Sequence, residues 1–318
     1  DSEEGEPMEG VQFAANFGLH PERAAPPEEV LRFAERAEEL GYDALWVGDH
    51  IAFHSQYLDP LLTLAAFAGR TQRLTLGTAV YLLPLRHPVV VAKMAGSLDY
   101  LTGGRFIFGV GVGGEGKKEF EACGVPVGER GARADEAIGL LRKLWSGEPV
   151  SHEGRFFRFR EVALRPPSAR PGGPPIWVGG RSEAALRRAA RAGDGWVSYL
   201  MTPRRFRESV EKIRALAAEK GRSLDGFTSS LLLFTYLHPD GDAAARAAAE
   251  NLGQRYRMDF RPFVERVCAL GPPERVAGRL AEWVEAGVRH FILKHVGPAA
   301  EEMEQLERVA EDVLAKGR

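Results

Sequence analysis

The sequence predicts an α/β fold, a (β/α)8 TIM barrel with insertions at the C-terminal face of the strands. Short apolar segments alternate with helical patterns along the chain of 318 residues, which gives eight strand-plus-helix units. The predicted strands are apolar on both faces, as parallel strands covered by helices are. A doubly wound sheet is the alternative, but it usually has fewer strands and a clearer internal boundary.

The predicted strands are short runs rich in Val, Ile, Leu, Phe and Ala. They cover residues 11–17, 44–50, 74–80, 105–112, 175–180, 195–200, 230–238 and 290–297. A helical pattern follows each of them. The first helix covers residues 27–40 and ends at Gly41, because glycine is favoured just after the last helical turn.

Later helices also begin at residues with known preferences for helix ends. Pro60 and Pro88 each open a helix, because proline fits the first helical turn. The segment RADEAIGLLRKLW predicts a helix over residues 133–145. Ser182 is a good N-cap, and apolar residues recur at helical spacing from there until Gly193 ends the helix.

Two segments interrupt this alternation, near residues 149–174 and 253–273. The first contains a hairpin-like alternation around Glu153 and Gly154, followed by a proline-rich link. The second separates two predicted helices, and insertions of this kind often cover the mouth of a barrel. It carries four arginines, which we interpret as a solvated basic face rather than as ligands of an anionic cofactor or substrate: Arg255, Arg257, Arg261 and Arg266.

Composition and charge exclude several functional classes. The 42 basic and 44 acidic residues are well mixed and give a net charge of −2, so we expect neither a nucleic-acid nor a membrane partner. Residues 1–10 lack the apolar segment of a signal peptide and are read as an N-terminal extension to a single domain of residues 11–318. The two cysteines lie far apart, which favours a reducing, cytoplasmic location.

In a barrel of this class the active site lies at the carboxyl ends of the strands. Polar and glycine-rich groups follow the predicted strands and should therefore converge on one mouth. These strand-end groups are Asn16, Asp49 and His50, Ala79 and Val80, residues 111–115 and 179–182, Ser198 and Tyr199, His238, and Lys294 with His295.

Asp49 and His50 are the candidate acid–base pair. Histidine titrates near neutral pH, and an adjoining carboxylate can orient it. The alternative is that Asp49 caps a helix and His50 only packs. His50 and His54 have the i, i+4 spacing of a metal pair, but a strand end does not continue as a helix and no further ligand set follows. We therefore predict no metal site.

Two glycine-rich segments are candidate cofactor contacts. GGRS, residues 179–182, joins a strand to a helix N-terminus, where backbone N–H groups and the helix dipole suit a phosphate; an ordinary turn is the alternative. In GVGVGGEGKK, residues 109–118, two nucleotide motifs match only by chance, and the glycines would let a flat ring approach the backbone. Glu115 is a candidate ring-edge or substrate contact, and a surface carboxylate fits equally well.

Four stretches resemble the bacterial luciferase-like superfamily of flavin- and deazaflavin-dependent oxidoreductases. They are LGYDALWVGDH, LGTAVYLLPLRHPVVVAKMAGSLDYLTGGRFIFGVGVG, KEFEACGVPVGERGARADEAIGLLRKLW and PPIWVGGRSEAALRRAARAGDGWV. The similarity runs from about residue 11 to about residue 220 and is mostly architectural beyond it. It implies a (β/α)8 barrel with a reduced flavin-like cofactor at the strand ends, usually in a homodimer.

The resemblance assigns roles by position. Ala79 and Val80 occupy the place of a non-prolyl cis peptide behind the cofactor ring, and His50 that of the active-site histidine of the deazaflavin branch. The implied cofactor-binding residues are Asn16, Ala79, Val80, Gly113, Gly114, Glu115, Gly179, Gly180, Arg181 and Ser182. Some members carry a glutamate at the end of strand one and a tryptophan four residues after the histidine, where this chain has Asn16 or Phe17, and His54.

The resemblance implies an oxidoreductase that uses coenzyme F420 and transfers a hydride between the deazaflavin and a small organic substrate. His50, oriented by Asp49, would supply or remove the accompanying proton. The first alternative is an FMN-dependent two-component monooxygenase, served by a separate flavin reductase. The second is a barrel that binds a flavin without turnover.

Overall fold

The computed structural model describes residue 8 and residues 10–19, 25–114 and 116–315. The strands within these ranges are β1 (Gln12–Phe17), β2 (Ala44–Val47), β3 (Thr75–Thr78), β4 (Tyr81–Leu82), β5 (Phe106–Gly111), β6 (Val150–Glu153), β7 (Arg158–Val162), β8 (Ile176–Gly179), β9 (Gly195–Tyr199), β10 (Thr228–Leu237), β11 (Cys268–Gly271) and β12 (His290–His295).

The helices cover the outside of the sheet and follow the strands in the predicted order. They are α1 (Pro27–Glu39), α2 (Pro60–Ala68), α3 (Pro88–Leu101), α4 (Lys117–Ala122), α5 (Arg130–Leu144), α6 (Glu183–Ala192), α7 (Pro203–Ala218), α8 (Gly241–Tyr256), α9 (Val264–Val267), α10 (Pro273–Glu285) and α11 (Glu302–Val309). Among these described helices, none is both long and apolar enough to cross a bilayer.

Eight parallel strands of the described chain close into a barrel. Their order is β1, β2, β3, β5, β8, β9, β10 and β12, and β12 pairs with β1 to close the ring. All eight predicted strands lie in this ring, so the (β/α)8 prediction is confirmed. The strands are almost entirely buried, because helices cover the outer face and side chains fill the inner face.

Aromatic side chains fill the lower part of the barrel. The rings of Trp46 and Trp177 lie 5.1 Å apart, and Trp46 Nε1 donates to His290 Nε2 at 2.9 Å. Burial lowers the pKa of His290 to about 3, so its neutral ring can accept this bond. A Cβ at Gly77 would lie 2.4 Å from the Trp46 ring, so this strand position must be glycine. These side chains fill the interior of the described barrel below the carboxyl ends of the strands.

The two insertions differ from the predictions in detail. The hairpin of β6 and β7 confirms the first, with Glu153 paired to Arg158 across the turn. The second prediction is partly wrong, because α8 continues through Tyr256 and residues 268–271 form β11, which pairs with the end of β10. A four-residue strand beside the last residues of a longer one is too short to show a period in the sequence.

Candidate active site

A cavity of about 310 Å³ opens at the carboxyl ends of the barrel strands. Most of the predicted site residues line it, although they are scattered in sequence. These are Asn16, Asp49, His50, Ala79, Val80, Gly113, Gly114, Gly179 and Gly180. Arg181 and Ser182 lie next to Gly180 but do not line the cavity, and Glu115 lies outside the described residues.

One wall of the cavity consists of backbone and a single valine. The Ala79–Val80 peptide bond is cis, as the resemblance implied. Val80 packs between two strand ends: a Cβ added at Gly111 would lie 2.4 Å from its Cγ2, and one added at Gly179 would lie 2.7 Å from its Cγ1. Glycine at both positions therefore leaves a smooth apolar wall formed by β3, β5 and β8, which suits a planar ring.

His50 is held by Glu119, a residue that the sequence analysis did not select. His50 Nδ1 lies 3.0 Å from Glu119 Oε1, and the Ile51 N–H donates to Glu119 Oε2 at 3.0 Å. The Glu119 side chain is fully buried on α4, whereas the His50 side chain is 14% exposed and lines the cavity. With Nδ1 bound to the carboxylate, Nε2 is the ring nitrogen that a ligand can reach.

Asp49 does not orient His50, so that part of the prediction is wrong. The Asp49 carboxylate forms a two-point ion pair with Arg86, at 2.5 and 2.9 Å, and accepts from the Leu82 N–H at 2.8 Å. The fully buried Asp49 side chain therefore holds the segment after β3 in place. The Asp49 carboxylate binds Arg86 and Leu82, whereas the His50 ring binds Glu119.

Aromatic rings and backbone enclose His50 on its other sides. The Phe53 ring stacks on the imidazole at 3.9 Å, and Tyr57 packs edge-on at 4.6 Å. His54, which has metal-pair spacing in the sequence, instead bonds through Nε2 to the carbonyl of Arg255 at 2.8 Å. These contacts restrict the imidazole to one orientation.

The GGRS turn forms the predicted helix N-terminus. Gly180 has a φ of +121°, and Ser182 Oγ caps α6 by accepting from the Ala185 N–H at 3.3 Å. The Arg181 guanidinium lies 4.8 Å from the Tyr199 ring centre and donates to the Leu200 carbonyl. The turn therefore offers backbone N–H groups at the positive end of the α6 dipole, beside the cavity.

Three further polar side chains line the opposite side of the cavity. Lys294 Nζ donates to Asn16 Oδ1 at 3.0 Å, and Arg255 Nη1 donates to the Tyr57 hydroxyl at 3.3 Å. Burial and the nearby Arg255 charge lower the pKa of Lys294 to about 7, although Glu302 acts in the opposite direction. Arg255 is buried, so its interpretation as part of a solvated basic face is wrong, whereas Arg257 and Arg261 are exposed.

The sequence analysis missed Glu119, named Lys294 only as a strand-end group and interpreted Arg255 as part of a solvated face. Glu119 lies 69 positions after His50 on a helix of six residues, so only the fold brings the two together. Lys294 follows the apolar residues 291–293 of a predicted strand, where a lysine is unusual and is therefore a candidate for a functional role. Arg255 ends a helix rich in alanine, and its buried position follows from the insertion that α8 enters.

Comparisons with known proteins identify the family of this chain. A family model described as luciferase-like monooxygenase matches residues 8–261. The F420-dependent glucose-6-phosphate dehydrogenase of Beutenbergia cavernae is 31% identical over 324 residues, covering 92% of this chain and 94% of that protein. The 4-hydroxyprotoasukamycin monooxygenase of Streptomyces nodosus subsp. asukaensis is 34% identical, covering 69% of this chain and 62% of that protein.

A solved structure has a similar fold. The crystal structure of a monooxygenase from Streptomyces bottropensis matches with a TM-score of 0.86 and 27% identity, covering 97% of this chain and 100% of that chain. The family model covers well over half of the chain. The chain therefore belongs to the luciferase-like monooxygenase family of oxidoreductases.

Proposed function

We propose that this chain is a coenzyme F420-dependent oxidoreductase that transfers a hydride between the deazaflavin and a small organic substrate. The observation that carries the proposal is that His50, held by Glu119, lines the same cavity as the smooth wall around Val80. The long match to an F420-dependent dehydrogenase, over 92% of the chain, supports the choice of cofactor.

The residues present fit a planar cofactor with an anionic tail. Val80 would support the ring, and Gly113 and Gly114 would let it approach the backbone, since both have positive φ and carry no side chain. The N–H groups of Arg181 and Ser182, together with the Arg181 guanidinium, would bind the phosphate at the start of α6. When bound, the deazaflavin would supply the two-electron hydride chemistry.

The remaining residues would position the substrate and move a proton. Glu119 holds His50 Nδ1 and so directs Nε2 toward the cavity, where it would give a proton to, or take one from, the substrate oxygen. Phe53 stacks on the imidazole and keeps water from that face. Asp49 would support the segment after β3 through Arg86 rather than act on the substrate.

A binding titration tests the cofactor. We expect the purified protein to bind oxidised coenzyme F420 and to ignore FMN at the same concentration, measured by quenching of cofactor fluorescence. Tight FMN binding without F420 binding would replace the proposal with the rival function, an FMN-dependent monooxygenase served by a flavin reductase. The matches to two monooxygenases favour that rival.

Substitution of His50 tests whether the barrel is an enzyme rather than a cofactor-binding protein. We expect His50→Ala to lower turnover by about 10²–10⁴-fold, the usual contribution of general acid–base catalysis. Cofactor affinity should stay within a factor of ten. Turnover is measured as F420 absorbance with a substrate found among alcohols and carbonyl compounds.

Glu119→Gln provides the matched control for this mechanism. The amide keeps the size of the side chain but removes its charge, so we expect a smaller loss of turnover and a shifted pH profile. Unchanged turnover in His50→Ala would remove this histidine from the mechanism.

A further inference from the structure

Asn16, Lys294 and Arg255 place hydrogen-bond donors together on one side of the cavity. Asn16 ends β1, Lys294 lies on the neighbouring β12, and Arg255 is in the last turn of α8. All three line the cavity, yet they are only 5%, 7% and 5% exposed. Buried groups of this kind normally have complementary partners.

The hydrogen bonds leave donors unused. A protonated lysine can only donate, so the Asn16 amide presents its oxygen to Lys294 and its Nδ2 group to the other side. Within the described part of the chain, Asn16 Nδ2 and Arg255 Nε are buried and have no partner. Both atoms therefore require an acceptor that the described protein residues do not supply.

The charges of Lys294 and Arg255 also indicate an anionic ligand. Lys294 and Arg255 donate to neutral partners, the Asn16 amide oxygen and the Tyr57 hydroxyl. The two carboxylates nearest His50 are already bound, Asp49 by Arg86 and Glu119 by His50 itself. Glu302, at the start of α11, raises the pKa of Lys294, but burial and Arg255 still lower that pKa to about 7, so an anionic oxygen on a ligand would further offset the cost of burying these charges.

We propose that Asn16, Lys294 and Arg255 form a subsite that binds a carboxylate group of the substrate, so that the substrate is a small organic acid. This proposal rests on the proposed function, which makes the cavity a substrate site. We refer to these three residues as the carboxylate subsite.

The position of the carboxylate subsite separates it from the predicted phosphate site. Around the barrel, β12 is the third strand and β1 the fourth strand from β8, which leads to the α6 N-terminus. In a ring of eight strands, β1 therefore lies opposite β8. The subsite is instead next to β2, and His50 lies in the loop that follows β2. Tyr57 contacts both Arg255 and the His50 ring. An acid bound there would place its adjacent carbon atoms between His50 and the wall around Val80.

Paired probes test this assignment on the purified full chain. Benzoate and benzamide have the same shape and differ in charge, as do hexanoate and hexanamide. We expect each carboxylate to bind at least tenfold more tightly than its amide, measured by isothermal titration calorimetry at pH 6.5. Equal affinity within both pairs would overturn the proposal.

Substitutions in the carboxylate subsite then test which residues cause the preference for carboxylates. Lys294→Met and Arg255→Met should each weaken carboxylate binding at least tenfold and change amide binding less than threefold. Asn16→Asp keeps the side-chain shape and adds a competing carboxylate, so it should also abolish the preference. Lys220→Met and Arg257→Met, on exposed residues, are the matched controls and should behave like the unaltered chain. Loss of preference in the controls, or its persistence in all three subsite variants, would contradict the assignment.

The cofactor titration, repeated on the same variants, separates the two proposals. If Lys294→Met weakens F420 or FMN binding as much as benzoate binding, the cluster binds the cofactor tail and the carboxylate subsite is wrong. If the unaltered chain binds neither cofactor but still prefers carboxylates, the proposed function fails and the subsite stands.

Discussion

Lys294 introduces a charge into a buried part of the barrel, and stability should reflect it. The groups that face its amine are Asn16 on β1, Arg255 on α8 and Glu302 at the start of α11. Burial and Arg255 lower its pKa from 10.5 to about 7 in the folded chain. Between these two values the unfolded chain binds more protons, so the free energy of unfolding should rise with pH.

Lys294→Met should therefore stabilise the protein most at low pH. At pH 6.5 the variant removes the full cost of the buried charge, whereas near pH 10 the folded lysine is already neutral and most of the gain disappears. Urea unfolding followed by tryptophan fluorescence at both pH values measures the difference. Lys220→Met, on the surface, is the control, and an equal gain for Lys294→Met at both pH values would show that its pKa is not lowered.

At the residue scale, the sequence predicted which residues reach the cavity better than it predicted their partners. His50 was selected because it follows a strand, and strand ends converge in any barrel. Its partner Glu119 could not be selected in the same way, because a contact between a loop and a helix 69 positions later depends on tertiary packing that has no local pattern. Asp49 was assigned to His50 as its neighbour in sequence, but its carboxylate pairs with Arg86, a partner 37 positions away.

At the scale of elements, the start of α6 combines a structural and a proposed binding role. Ser182→Ala should lower the free energy of unfolding by about 0.5–2 kcal/mol, because it removes the N-cap bond to the Ala185 N–H. The hydroxyl is not required for phosphate binding if backbone N–H groups do that work, so cofactor affinity should change little. Thermal unfolding and the fluorescence titration measure the two effects.

Arg181→Ala should weaken cofactor binding and change stability little, the reverse of Ser182→Ala. Its guanidinium makes one bond to the Leu200 carbonyl and lies over Tyr199, so we expect a small change in stability. Cofactor binding should weaken by roughly 1.5–3 kcal/mol, the value of a charge-assisted hydrogen bond. Unchanged affinity would show that Arg181 does not contact the phosphate.

The strands and helices could be predicted because each of them has a local sequence pattern. Predicted strand 175–180 became Ile176–Gly179, and Ser182 and Gly193 mark the ends of α6 as predicted. The exception is β11, which was not predicted and pairs with the last residues of β10. That pairing depends on the insertion returning to the sheet, which no local pattern shows.

At the scale of the whole molecule, α2 and α3 leave an apolar face exposed. The two helices pack against each other. Val90, Met94 and Leu101 recur at spacings of four and seven residues, so they lie on one face of α3, and Leu62 on α2 is also exposed. Leu62 and Leu101 are 69% and 72% exposed, and large contiguous apolar patches mark association surfaces.

We propose that this face forms the interface of a homodimer. In a two-fold dimer each substitution occurs twice, so Leu101→Glu brings two carboxylates into an apolar contact. We expect the dissociation constant to rise at least about thirtyfold, the equivalent of about 2 kcal/mol for a central interface residue. Light scattering after size-exclusion chromatography measures the mass across a dilution series.

Met258→Glu is the matched control, because Met258 is an exposed apolar residue outside the α2–α3 face. A monomer at all concentrations of the unaltered chain, or a dimer that Leu101→Glu leaves intact, would assign this face to another partner or to none.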